Sequence, residues 1–392
     1  MSVHLEPTAA PDAPEGSEDR YRWTLDRSVE EIARTHVMDP RIARHVPGFD
    51  APFFQAGLAG YSDGPMRIVA RRHGAPFCIT EALLDRTLIN GGKGRRKEDP
   101  DLLATECGMG EIEDNLAAGL DDHPIAGQIM GTFPEEMAQG AGILVGMGYE
   151  VIDVNLACPV KKIKRNNRGG HFLAHPDDAI AVLAAVRAAV PASIPCTVKL
   201  RRSYDDTPAM AAAFERIFDA VYELGYLWAT VHCRTVQQKY LGPAKWEFLR
   251  DLRRRHPDRL IFGSGDIWQV EDIFAMLAFT GVNAVSVARG CIGNPWIFRQ
   301  ARQLMRGEQP TVPTLAEQRA ALLDHFDLSV KLHGERAAGR MMRKFGIKFA
   351  RHHPDAAKVK SAFIACSNIA QWHGVIEHCY RAAGSDGEAQ SS

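Results

Sequence analysis

The sequence predicts an α/β protein, a (β/α)8 TIM barrel followed by a small C-terminal all-helical domain. Eight short apolar runs, rich in β-branched residues, alternate with longer amphipathic segments over about 250 residues, the arithmetic of such a barrel. After Pro313 the strand pattern stops, and Thr314 to Arg381 carries helical periodicity only. No G-x-G-x-x-G follows the first strand-like run, which argues against a dinucleotide-binding doubly wound sheet.

The elements follow in order. Residues 1–20 are acidic and Pro/Ala-rich, with too little apolar content to fold. Residues 1–45 therefore read as an acidic, partly disordered extension, with a short helix expected around Thr24–His36. The barrel is expected over 46–310. Its strands are predicted at Phe53–Leu58, Pro76–Glu81, Ile125–Met130, Val151–Asn155, Cys196–Leu200, Trp228–His232, Leu260–Ser264 and Ala284–Ala288. Helices are predicted at Pro134–Gly146, Asp177–Val190, Met210–Leu224, Ala244–Arg255 and Val270–Phe279. A helical domain is expected over 314–382, split near His352-His353-Pro354, and a flexible tail over 383–392.

Composition narrows the class. With 45% hydrophobic and 24% charged residues among 392, the chain is an ordinary globular one. No apolar run approaches the ~20 residues of a membrane helix, and the N-terminus lacks the basic and apolar parts of a signal peptide. The default expectation is a cytoplasmic protein without membrane contact, and nothing demands more than a monomer. The eight cysteines include no C-x-x-C pair, so neither a zinc site nor a disulfide framework is suggested. Charge is uneven: residues 331–360 carry nine Lys/Arg against two acids, a pointer to a polyanionic partner. Within that stretch Arg336, Arg340, Arg343, Lys344, Lys348 and Arg351 recur at steps of three and four and share one helix face. The face is either simply solvated or a contact for a phosphate backbone.

In such barrels the working groups sit at the carboxyl ends of the strands. Those ends offer Gly57, Leu58 and Ala59, then Gln128, then Asn155 and Cys158, Lys199, His232 and Arg234, Ser264-Gly265-Asp266, and Ala288-Arg289. Glycine-containing turns after the last two strands form a phosphate site, and FMN lying across the mouth is the economical ligand. Lys199 closes an apolar strand, where burial without a partner is costly. A flavin's pyrimidine edge, a structural ion pair or a Schiff base would each account for it. Pro159 fixes the backbone after Cys158. A thiol of ordinary pKa, ~8.5, suits a general acid at neutral pH. The neighbouring Lys161 and Lys162 favour a thiolate nucleophile instead, so both roles stand open.

Together these motifs resemble the dihydrouridine synthases, most nearly the bacterial B-type branch. The resemblance is carried by Asn155-Leu-Ala-Cys158-Pro159-Val-Lys161-Lys162, Val198-Lys199-Leu-Arg201, His232-Cys-Arg234-Thr235, Gly265-Asp266 and Asn294-Pro295-Trp296-Ile297-Phe298. It implies FMN, NADPH as reductant, and reduction of the uracil C5–C6 bond in structured RNA, usually tRNA. It also implies residue roles. Gly57, Leu58 and Ala59 would line the flavin, and Gln128 and Lys199 would bond its ring. His232, Ser264, Gly265, Asp266, Ala288 and Arg289 would surround its phosphate. Cys158 would protonate uracil C5, while Asn155 and Arg234 hold the base. Lys161, Lys164, Arg165 and Arg168 in the following loop, with Arg340 and Arg343, would grip the RNA backbone. Gly57, Ala157, Ser264 and Cys233 depart from the family's usual Pro, Gly, Asn and Gly. Ribosomal RNA is therefore a second candidate substrate, and a small-molecule flavin reductase is the alternative reading.

Overall fold

The structure, a computed structural model, describes residues 25–90, 122–159 and 168–381. Lys161, Lys164, Arg165, the first twenty residues and the 383–392 tail lie outside the described residues.

Parallel strands close into a barrel. They are β1 (Phe53–Gln55), β2 (Cys78–Ile79), β3 (Leu83–Leu84), β4 (Ile125–Met130), β5 (Val151–Leu156), β6 (Cys196–Arg201), β7 (Trp228–His232), β8 (Leu260–Ser264) and β9 (Ala284–Val287). β1 pairs with both β9 and β2, and β2 pairs with β4, which completes the ring of eight. β3 continues beside the far end of β4, so the second expected strand is broken in two. Thr80 marks the break: its hydroxyl turns back to accept from Gln128 N at 2.9 Å.

Side chains on a strand alternate between its two faces, and here the alternation sorts the barrel cleanly. Ile152, Cys196, Ala229, Ile261 and Val285 pack outward in one cluster with the surrounding helices. Phe54, Ala126, Val151, Trp228, Leu260, Phe262 and Ala284 pack inward in another. Moving up the inward face, this apolar floor gives way to Asp153 and Thr197, then to Gln128, Asn155, Lys199 and His232. The barrel grades from oily to hydrogen-bonding to reactive.

The floor is sealed from below by the N-terminal segment. Ile42 of helix Pro40–His45, then Val46 and Phe49, are fully buried against the strands. Phe49 stacks on Phe77 with centroids 4.8 Å apart and meets Trp228 and Phe262 edge-on, while those two stack at 4.6 Å. The helix expected around Thr24–His36 is Val29–Thr35, opened by Ser28, whose hydroxyl accepts from Glu31 N.

Beyond the barrel the described residues form helices only: Leu315–His333, Glu335–Phe349, Ala356–Ala365 and Ile369–Cys379, with a short 3-10 turn at Ala350–His352. A capping box of Thr314 and Glu317 starts the first. Trp372 anchors this unit, stacked on Phe326 at 4.6 Å and donating from Nε1 to Met342 O at 3.0 Å. The unit docks on the barrel mouth. Lys344 Nζ donates to the Gly60 carbonyl and lies over the Tyr61 ring, Arg351 donates to Gly290 O at 2.8 Å, and His333 meets Asp63 at 3.2 Å. The expected basic stripe is therefore divided. Lys344 and Arg351 hold the barrel, while Arg336, Arg340 and Arg343 remain exposed. No helix among the described residues is long and apolar enough to cross a membrane.

Candidate active site

Strand register sets the site. Gln128 pairs with Asp153, Asn155 with Lys199, Arg201 with His232, and His232 with Ser264. Because all of these are inward positions, residues up to 136 apart in sequence become neighbours around one opening.

Cys158 stands just past the end of β5, half-buried and outside any disulfide. Asn155 holds its backbone: Oδ1 accepts from Ala157 N at 3.0 Å and from Cys158 N at 3.1 Å. The Cys158 carbonyl accepts from Gly170 N at 3.0 Å. Asn155 Nδ2 donates to Gln128 Oε1 at 2.7 Å, and Gln128 Nε2 donates to Asp153 at 2.7 Å. The thiol is thus fixed through its main chain.

Lys199 Nζ is shielded from water and has no hydrogen-bond partner. Burial lowers its pKa to about 7, against the opposing pull of Asp153. A shielded ammonium of this kind is costly unless an electron-rich acceptor pairs with it. Opposite it, a β-carbon at Gly57 would lie 2.3 Å from the Thr80 carbonyl and 3.4 Å from Gln128 Oε1. Glycine there keeps the loop pressed against Gln128. Leu58 is half-buried and Ala59 exposed beside it.

His232 Nδ1 accepts from Arg234 N at 3.1 Å. Since that N–H can only donate, the neutral ring carries its proton on Nε2. Burial, then Arg201, Lys199, Arg234 and Arg289, hold its pKa well below the usual value. Asp266, in a left-handed turn at φ 57, organises the rim. Its carboxylate takes Arg234 at 2.7 and 2.8 Å, Ala244 N at 2.8 Å and Arg289 at 3.4 Å. Arg289 also stacks over Trp268 at 4.4 Å. Arg234 donates from Nε to Gly242 O at 2.9 Å, while its buried Nη1 has no partner. Ser264, Gly265 and Ala288 complete the rim at the ends of β8 and β9.

Two expectations change in detail. Arg168 does not face outward: it is 7% exposed and turned to Thr132 at 3.2 Å and Asp85 at 3.8 Å, because the chain dives inward at Gly169–Ala174. Arg343 is exposed but donates to Ile364 O at 2.6 Å. Two residues of the site went unassigned from sequence. Asp153 is fully buried at the root of the amide chain. Arg201 is 3% exposed and joins Ala157 O, Thr235 O and Lys239 O at 2.9, 2.8 and 2.7 Å. The signal was present, since each lies two positions from a recognised residue on the same strand face.

Comparison with known families decides between readings of this opening. The dihydrouridine synthase family model matches residues 54–382. The chain belongs to the dihydrouridine synthase family. It is 29% identical to a probable tRNA-dihydrouridine synthase of Treponema pallidum (strain Nichols), over 82% of this chain and 91% of that one. It is 30% identical to tRNA-dihydrouridine synthase B of Xanthomonas campestris pv. campestris, over 78% and 86%. As a fold, this dihydrouridine synthase also superimposes on histamine dehydrogenase from Rhizobium sp. 4-9 with a TM-score of 0.50 at 12% identity. That match covers 77% of this chain and 51% of the dehydrogenase, so the chain spans about half of that structure. It shows the shared barrel alone.

Proposed function

We propose that this dihydrouridine synthase binds FMN across the barrel mouth, draws reducing equivalents from NADPH, and reduces the C5–C6 bond of uridines in tRNA, with Cys158 as general acid. One observation carries the reading: a main-chain-braced, half-buried thiol shares the opening with a shielded, partnerless ammonium.

The residues present fit a flavin. Lys199 lacks an acceptor and would gain one from the pyrimidine edge, with Gln128 beside it. Gly57, Leu58 and Ala59 would line the ring. His232, Ser264, Gly265, Asp266, Ala288 and Arg289 would surround the phosphate, where Arg289 supplies charge. When bound, the flavin supplies the hydride for uracil C6. The protein's own part is to place the pyrimidine, exclude water and provide the proton for C5. Asn155 and the free Nη1 donor of Arg234 would hold the base, and charge growing on the C4 carbonyl oxygen is met by such donors mainly in the transition state. The uridine must leave its stack to reach this depth. The exposed Arg340 and Arg343 suit a backbone contact that carries no sequence information. Lys161, Lys164 and Arg165 keep that proposed role.

The test is Cys158→Ala in purified protein. The variant is expected to keep its yellow colour and its bleaching by NADPH, and to lose dihydrouridine formation on tRNA from a strain lacking the gene, read by mass mapping. Unchanged product removes the acid role. A colourless parent protein removes the cofactor.

A further inference from the structure

Asp153 is fully buried midway along β5. Its Oδ1 accepts from Thr197 Oγ1 at 2.6 Å, and its Oδ2 accepts from Gln128 Nε2 at 2.7 Å. From there Asn155 Nδ2 donates to Gln128 Oε1 at 2.7 Å, and Asn155 Oδ1 accepts the N–H groups of Ala157 and Cys158. Each link has a direction. Both carboxylate oxygens stand as acceptors, and the Thr197 and Gln128 hydrogen bonds and the nearby Lys199 oppose the upward push of burial on the Asp153 pKa. A peptide N–H only donates, so the two amides between them satisfy both ends in a single orientation. Flipping either amide would set donor against donor.

We propose that Asp153 is the positioning residue for proton delivery, fixing the orientation of Gln128 and Asn155 and through them the main chain that carries the Cys158 thiol. A carboxylate in a barrel interior is strongly disfavoured unless hydrogen-bonded and countered by charge. Here it has two donors and the neighbouring Lys199, an arrangement an apolar side chain would make unnecessary. The inference rests on the functional reading above for its effect on turnover, but not for its effect on the thiol.

Asp153→Asn keeps the shape while removing the acceptor-only end, because an amide can present either group and the Thr197 hydroxyl can donate or accept. The variant is expected to retain flavin and to be bleached by NADPH within twofold of the parent rate. Its kcat for dihydrouridine formation on tRNA from a strain lacking the gene should fall at least tenfold, with KM for that tRNA unchanged. Alkylation of Cys158 by iodoacetamide, followed by peptide mapping, should change at least threefold. The exchange Asp153→Asn with Gln128→Glu restores an acceptor-only group one link along. It should return the alkylation rate to within twofold of the parent, whatever it does to the flavin. The proposal is overturned if Asp153→Asn turns over at the parent rate, if flavin and product are lost in parallel, or if the exchange leaves alkylation at the single variant's rate. Should the parent itself make no dihydrouridine, the functional reading falls and the alkylation arm still decides the role of Asp153.

Discussion

At Lys199 a single buried nitrogen stands without a hydrogen-bond partner. An ammonium withheld from water without a partner destabilises the ligand-free fold. Its folded pKa of about 7 lies below the ordinary 10.5. The unfolded chain therefore binds a proton between those values that the folded protein does not, and this destabilisation is fully present below pH 7 and vanishes above 10.5. Lys199→Met is expected to raise the melting temperature of flavin-free protein at pH 7 by several degrees, ~4 °C. Added FMN should then stabilise the parent and not the variant; equal stabilisation of both would place the flavin elsewhere. Lys199, Gln128, Asn155 and His232 were legible as inward positions because each is a polar side chain set in or at the end of an apolar strand run. The inward turn of Arg168 and the clamp of Arg234 on Asp266 were not, because partners from other loops set them.

Elements repeat the lesson at larger size. The strands after β3 were legible nearly to the residue because apolar runs end where inward polar groups begin. The helices predicted from Pro134, Asp177 and Met210 begin at Pro134, Pro176 and Pro208, each proline pre-set for a first turn. The broken second strand was hidden, since Thr80 and Glu81 continue its β pattern but turn to other partners. Glu81 is 7% exposed, and its Oε2 accepts from Gly60 N at 2.6 Å. Burial lifts its pKa from 4.5 to about 7, outweighing that hydrogen bond, with Asp63 adding to the rise. The folded state thus keeps a proton that the unfolded chain releases, so the stability this gives is whole below pH 4.5 and is lost as pH rises through 7. Glu81→Gln is expected to match the parent at pH 4 and exceed it at pH 8 by on the order of 1–3 kcal/mol. Urea denaturation at the two pH values checks this, and parallel curves would refute it. The N-terminal stopper offers a second test. Phe49→Ala removes the ring beneath the barrel and is expected to cost about 3–5 kcal/mol in the same assay. A loss under 1 kcal/mol would make the stopper dispensable.

For the whole molecule, periodicity predicted six cations on one helix face, but Arg351 lies just past the helix end and docking decides which of the six the barrel takes. Arg336, Arg340 and Arg343 are left exposed, and the proposed reading gives Arg340 and Arg343 to a polyanion. Reversing both to Glu is expected to weaken tRNA binding at least tenfold at low salt and to flatten its salt dependence by about two units of slope. NADPH-driven bleaching should be untouched; unchanged affinity would leave the face merely solvated. The joint itself is closely packed. Gly293 sits at φ 64, and a β-carbon there would come within 2.6 Å of the Lys348 main chain. On the proposed reading, arm and cavity then behave as a single casting, a jig that presents its workpiece at one angle and one depth. Choice of uridine becomes a matter of which nucleotide that fixed gauge can reach, and the RNA has to supply whatever bending the fit demands.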